Sequence, residues 1–187
     1  MAKPQNIFLV GPMGAGKTTI GKALAELLEK DFYDSDREIE TTTGADIAWI
    51  FDVEGEAGFR NREQRMIESL TSRKGIVLAT GGGAVLQSEN RKRLQARGLV
   101  IYLRVSIAQQ IERTSHDKNR PLLQSEDPEQ TIRDLMKLRE PFYEEVADII
   151  IDSSRRNARA LGKEICRQIR MVQPGQWDTE GVLSEDG

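Results

Sequence analysis

Gly11-Pro12-Met13-Gly14-Ala15-Gly16-Lys17-Thr18 follows directly on the apolar run Ile7-Phe8-Leu9-Val10 and leads into a helical pattern over residues 18–29. A buried strand, a glycine turn carrying lysine and threonine, and then a helix is the context in which G-x-x-x-x-G-K-[ST] binds phosphate. The glycines let backbone N–H groups curl inward without Cβ clashes, forming an anion nest. The new helix adds free N–H groups and the positive end of its dipole. Lys17 brings a mobile cation to the β- and γ-phosphates, and the Thr18 hydroxyl is a ligand for Mg²⁺. Gly14, Ala15, Gly16, Lys17, Thr18 and Thr19 are therefore the expected nucleotide contacts. The motif specifies a nucleotide and leaves the acceptor open.

Further short apolar runs repeat the strand signal at Ile76-Val77-Leu78-Ala79, Leu99-Val100-Ile101-Tyr102-Leu103 and Ile149-Ile150-Ile151, with a weaker one at Phe32-Tyr33. Their length and β-branched content suit strands buried on both faces. Amphipathic patterns lie between them, over residues 60–72, 88–96, 106–112, 128–146 and 157–171. Alternation of this kind predicts an α/β fold with right-handed βαβ units and a parallel sheet. A chain of 187 residues fits one compact domain, taken as residues 1–172. The polar segment 113–127 reads as an exposed loop placed to act as a lid. Residues 173–187 are polar, with Pro174 and three glycines, and are expected to form a poorly ordered tail.

Composition removes several function classes. A net charge of −3 gives no footprint for nucleic-acid binding. No apolar run approaches the roughly 18–20 residues of a membrane helix, and no secretory signal is evident. The single cysteine, Cys166, cannot form an internal disulfide, in keeping with a cytoplasmic protein.

P-loop proteins commonly order magnesium with an Asp at the end of another strand. The run Ile76–Ala79 ends in Thr80-Gly81-Gly82-Gly83, with no carboxylate. Asp34-Ser35-Asp36 follows the weak strand and so belongs at the carboxyl edge of the sheet, near the phosphates. In extended chain, residues two apart point the same way, which predicts both carboxylates in one cleft. A GTPase switch is the rival from another class. Asp52-Val53-Glu54-Gly55 matches D-x-x-G, but it lies in a helical region, and no N-K-x-D base-reading motif is present.

Several separated motifs together resemble the shikimate kinase family, over residues 6–157. They are residues 11–19, Asp34-Ser35-Asp36-Arg37-Glu38-Ile39-Glu40, Gly55-Glu56-Ala57-Gly58-Phe59-Arg60, Thr80-Gly81-Gly82-Gly83, Arg120-Pro121-Leu122-Leu123 and Arg139-Glu140-Pro141-Phe142-Tyr143. The resemblance implies a nucleoside-monophosphate-kinase-like fold with five parallel strands in the order 2-3-1-4-5. It implies transfer of the γ-phosphoryl group of ATP to the 3-hydroxyl of shikimate, in the chorismate pathway to aromatic amino acids. Mg²⁺ is the implied cofactor, ATP and shikimate are the implied small-molecule partners, and a monomer is expected, without nucleic-acid or membrane partners.

The same resemblance assigns Arg60 and Arg139 to the shikimate carboxylate, a task that suits planar guanidinium forks. Pro141 is read as ending the helix just after Arg139, leaving that arginine free to reach the cleft. Asp36 is the candidate for binding the acceptor hydroxyls and taking the proton. Asp34 orders Mg²⁺ together with Thr18. Gly81, Gly82 and Gly83 bring backbone N–H groups close to the substrate. Lys17 and Arg120 neutralise charge during transfer, Arg120 as an arginine finger in the lid. Arg113 and Arg156 flank the adenine. His116, the lone histidine, is given no role as a base. Gluconate kinase and nucleoside monophosphate kinases are the enzyme alternatives, and a non-catalytic nucleotide-binding module is the alternative outside catalysis.

Overall fold

In the computed structural model, residues 5–115, 124–154 and 157–177 are described. Five strands, β1 (Ile7–Val10), β2 (Asp31–Asp34), β3 (Ile76–Ala79), β4 (Leu99–Arg104) and β5 (Ile149–Asp152), form one sheet. All pairings are parallel and the order is β2-β3-β1-β4-β5, as the family resemblance implies. Among the described residues, seven helices connect or flank them: α1 (Lys17–Leu27), α2 (Ser35–Thr43), α3 (Ile47–Thr71), α4 (Ser88–Arg97), α5 (Ile107–Thr114), α6 (Pro128–Val146) and α7 (Ala158–Val172). A 3₁₀ turn, Ala84–Leu86, follows the glycine triplet.

Alternation along each strand sorts the apolar side chains into two layers. Ile7, Leu9, Val77, Ile101 and Leu103 face Ile20 and Leu24 of α1 and Leu161 and Ile165 of α7. Phe8, Val10, Leu78, Val100 and Tyr102 face the opposite layer, with Ile67 of α3, Leu94 of α4 and Met136 and Tyr143 of α6. The three central strands are buried on both faces, as their uninterrupted apolar character predicts. At the edge, β5 alternates, and Ile150 points outward, unlike the fully buried run expected from its three isoleucines.

Two other parts differ from the sequence reading. α2 is an additional helix, too polar to show an apolar period, and it starts because Asp34 caps the N–H groups of Asp36 and Arg37. The chain beyond Gln173 does not leave the body at once. It turns back so that Trp177, 9% exposed, packs into the α1–α7 layer beneath the Lys30 ammonium. The Trp177 indole N–H donates to Gln173 Oε1, and Gln5 Nε2 donates to the Gln176 carbonyl.

The carboxyl ends of β1, β2 and β3 lie side by side. Thr80 closes this edge, donating its N–H and its hydroxyl to the Leu9 carbonyl at 3.1 and 3.0 Å. The phosphate turn, the Asp34–Asp36 segment and the glycine triplet therefore open onto the same space.

Candidate active site

That space is a cleft of about 840 Å³, running from the glycine turn after β1 to the inner faces of α3 and α6. At one end, residues 14–19 line it, together with Asp34 and Arg113. Gly16 caps α1 in the left-handed region, φ 86°, where a side chain is strained, and it offers no side chain to the helix N–H groups. The first-turn donors of α1 thus remain available to an anion. Lys17 Nζ donates to the Gly11 and Pro12 carbonyls at 2.7 and 2.8 Å, which lays the ammonium across the turn. The Thr18 hydroxyl donates to Asp34 Oδ2 at 2.6 Å, and Asp34 Oδ1 accepts the α2 N–H groups. Arg113 ties α5 to this end by donating to the Gly14 and Ser153 carbonyls.

At the other end, four charged side chains converge on residues 81–83. The glycines leave room for them. A Cβ on Gly81 would stand 2.7 Å from Asp36 Oδ1 and 2.8 Å from Glu63 Oε2. One on Gly82 would meet Arg139 Nη1 at 3.2 Å, and one on Gly83 would meet Arg60 Cζ at 2.6 Å. The sequence reading gives these glycines a different reason, the approach of backbone N–H groups to substrate. For Gly81 this is corrected: its N–H is donated to Ser35 Oγ at 2.9 Å. The triplet also seats side chains, and the Tyr143 hydroxyl holds it by donating to the Gly82 carbonyl.

Arg60 and Arg139 are both nearly buried, on α3 and α6 respectively, and both line the cleft. Arg60 Nη1 donates to Glu63 Oε1 at 2.8 Å, while its Nε and Nη2 both reach Glu56 Oε1. Burial pulls the Arg60 pKa down, but the two carboxylates outweigh it and hold the guanidinium above its ordinary value. Arg139 does not lie at a helix end. α6 continues through Pro141 to Val146, so the arginine enters the cleft from the body of the helix. The proline costs the helix one N–H donor, and packing of Tyr143 and Val146 into the core carries it onward.

Asp36 shares the cleft with Asp34, as expected, but not by extended geometry. Asp34 ends β2 and Asp36 sits in the first turn of α2, so a helix start, and not a strand, brings them together. Burial is the first cause that raises the Asp36 pKa to about 7, followed by the nearby Glu63 and Asp34 carboxylates, against the pull of Lys17 and Arg60. Asp36 Oδ1, Glu63 Oε2 and Arg139 Nε are buried and without a hydrogen-bond partner among the described residues. All three belong to side chains that line the cleft, where a polar ligand would find partners.

Glu63 is the residue that the sequence reading misses. It is fully buried, and burial pushes its carboxyl up while Arg60 and Arg139 pull it down. Its only sequence signal is a spacing of three from Arg60 on one helical face, which surface ion pairs share. Phe51, Phe59 and Ile47 form the apolar wall of the cleft, with the two phenyl rings 4.8 Å apart. Arg120, Arg156, His116 and most of the expected lid lie outside the described residues.

Comparison with known proteins agrees with this geometry. A family model described as Shikimate kinase matches residues 13–170. The shikimate kinase of Alteromonas mediterranea is 60% identical over 169 residues, covering 90% of this chain and 99% of that protein. The shikimate kinase of Pasteurella multocida is 60% identical over 166 residues, covering 88% of this chain and 95% of that protein. The solved shikimate kinase from Acinetobacter baumannii in complex with shikimate has a TM-score of 0.90 at 55% identity, covering 92% of this chain and 96% of that one. A deoxyadenosine kinase from M. mycoides, with a TM-score of 0.62 at 17% identity, shares the fold alone. A nucleotide turn facing a paired-arginine, paired-carboxylate pocket thus occurs in a chain that belongs to the shikimate kinase family.

Proposed function

We propose that the chain transfers the γ-phosphoryl group of ATP to the 3-hydroxyl of shikimate, releasing ADP and shikimate 3-phosphate. One observation carries the reading: Arg60, Arg139, Asp36 and Glu63 meet on residues 81–83, across one cleft from the phosphate turn. A compact hydroxylated acid needs cations at one end and hydroxyl acceptors at the other, and this pocket offers both. The Nε–Nη2 edge of Arg60 already faces a carboxylate, that of the half-exposed Glu56. In this reading the substrate carboxylate takes that place, while Glu63 keeps the opposite edge fixed. Arg139 supplies the second cation.

The acceptor oxygen forms a bond to the γ-phosphorus as the bond from that phosphorus to the β,γ-bridging oxygen breaks. The electron pair leaves with ADP, and the hydroxyl proton passes to Asp36. A carboxyl with a pKa raised to about 7 is suited to accept that proton near neutrality. Transfer passes through a loose transition state, so most of the rate comes from position and charge neutralisation. Lys17 and the α1 N-terminus serve the phosphates, and Arg113 borders the same end of the cleft. Arg120, through its family motif, is assigned to the transferring group, and Arg156 with Arg113 to the adenine.

Thr18 and Asp34 fit a magnesium site. They offer hard oxygen donors joined by a 2.6 Å hydrogen bond at the mouth of the turn. When bound, Mg²⁺ would neutralise charge on the β- and γ-oxygens. No helix among the described residues is long and apolar enough to cross a membrane. A reducing cytoplasm is part of this reading, in keeping with the buried, unpaired Cys166.

A coupled ADP-release assay across shikimate, gluconate, AMP and CMP tests the reading. Turnover is expected with shikimate alone. Faster turnover with any of the other three, or release with none, overturns it.

A further inference from the structure

The Gly55-Glu56-Ala57-Gly58-Phe59-Arg60 motif contains two glycines that the acceptor site does not use. Gly55 has φ 70° and ψ 178°, outside helical geometry, and it divides α3 into residues 47–54 and 56–71. The shorter arm carries Ile47 and Phe51 into the cleft, and the longer arm carries Phe59, Arg60 and Glu63. The Phe51 and Phe59 rings meet across the break, 4.8 Å apart and tilted by 35°.

On the outer side of the break, Arg62 grips Glu54 with both donors of its Nε–Nη2 edge. Its Nη2 donates to Oε1 at 2.6 Å and its Nε to Oε2 at 2.8 Å. In a straight helix, positions eight apart stand about 12 Å from one another along the axis. The bend brings the two head groups together. Gly58 makes room for it: a Cβ there would lie 2.5 Å from Glu54 Cβ. The motif thus builds a clasp, with a break at Gly55, a seat at Gly58 and a planar fork spanning both arms. Neither Glu54 nor Arg62 lines the cleft.

We propose that Glu54 and Arg62 are positioning residues for the acceptor: their fork sets the angle at Gly55 and so holds the Phe51 face against Phe59 and Arg60. A two-point contact fixes direction as well as distance, which a single ion pair does not. Its effect falls on the acceptor end alone, because residues 14–19 lie on other elements. The inference rests on shikimate as the acceptor.

Steady-state kinetics of Arg62→Ala, Glu54→Ala and the double variant test it. Each single substitution is expected to raise KM for shikimate about 3- to 5-fold, with kcat and KM for ATP changed by less than about 2-fold. The double variant is expected to match the singles, since the two side chains act as one unit. Arg62→Lys, which keeps the charge and loses the fork, falls between parent and Arg62→Ala. A shikimate KM unchanged in both singles, an equal rise in KM for ATP, or a double variant that multiplies the two single effects overturns the inference. If the parent fails to phosphorylate shikimate, the functional reading is lost and the inference falls with it. An active parent with indifferent variants sinks the inference alone.

Discussion

The Arg60 guanidinium occupies the space where Gly83 lacks a side chain, so closely that a Cβ there would stand 2.6 Å from both Cζ and Nη1. The arginine is therefore placed by backbone on one side and by Glu63 and Glu56 on the other. Gly83→Ala is expected to push the guanidinium aside at an over-packing cost of about 1–3 kcal/mol, and to raise KM for shikimate by about 10-fold or more. Kinetics paired with thermal melting separates the two effects. A KM equal to that of the parent would show that the close contact has no part in acceptor binding.

Arg60→Lys keeps the charge and removes the planar fork. KM for shikimate is expected to rise by about 10-fold or more, with KM for ATP changing less than about 2-fold. Titration of each ligand separately, followed by intrinsic fluorescence or calorimetry, checks the split. Equal weakening of both ligands would contradict the assignment of Arg60 to the acceptor.

Asp36 gives opposite effects on activity and stability. Its pKa is raised from 3.8 to about 7, so the folded chain holds this proton more tightly than the unfolded chain does. Its contribution to stability is complete below about pH 4 and is lost as pH rises through about 7, a change of up to about 4 kcal/mol. Asp36→Asn removes the charge at every pH. In the presence of a chelator and without ligands, the variant should melt above the parent at pH 8, with the gap closing toward pH 4. Its kcat should fall by about 10²-fold. A variant that melts below the parent at pH 8, or turns over at the parent's rate, contradicts this account of Asp36.

Trp177 seals the α1–α7 layer and does not line the cleft. Trp177→Ala should cost about 3–5 kcal/mol, or roughly 6–20 °C in Tm, and leave kcat and both KM values unchanged. Differential scanning calorimetry beside the ADP-release assay checks both halves. A lowered kcat at a temperature where the variant is folded would show that the segment acts on catalysis.

The phosphate turn is legible in the sequence because each residue type in it is required by a specific physical task, and strand and helix flank it. Other parts of the site are legible only as residues and not as geometry. Asp34 and Asp36 do line one cleft, yet a helix cap brings their carboxylates there, because Asp34 satisfies two N–H groups of α2. Arg139 is found, yet it enters from the middle of α6, because core packing overrides Pro141. Glu63 leaves no usable trace. A glutamate three positions from an arginine is ordinarily a solvated pair, and only the packing of α3 onto residues 81–83 buries this one. Trp177 is hidden for a similar reason: one aromatic in a polar tail does not reveal the layer that receives it.

Comparing shikimate with its methyl ester in the ADP-release assay is the most direct test, since the ester keeps all three hydroxyls and loses only the charge that the proposal assigns to Arg60 and Arg139. The ester should show kcat/KM lower by about 10²-fold or more, a loss typical of a buried, fork-bound carboxylate. Equal kcat/KM for acid and ester would contradict the account, because the acceptor would then be held by something other than the paired guanidinium groups.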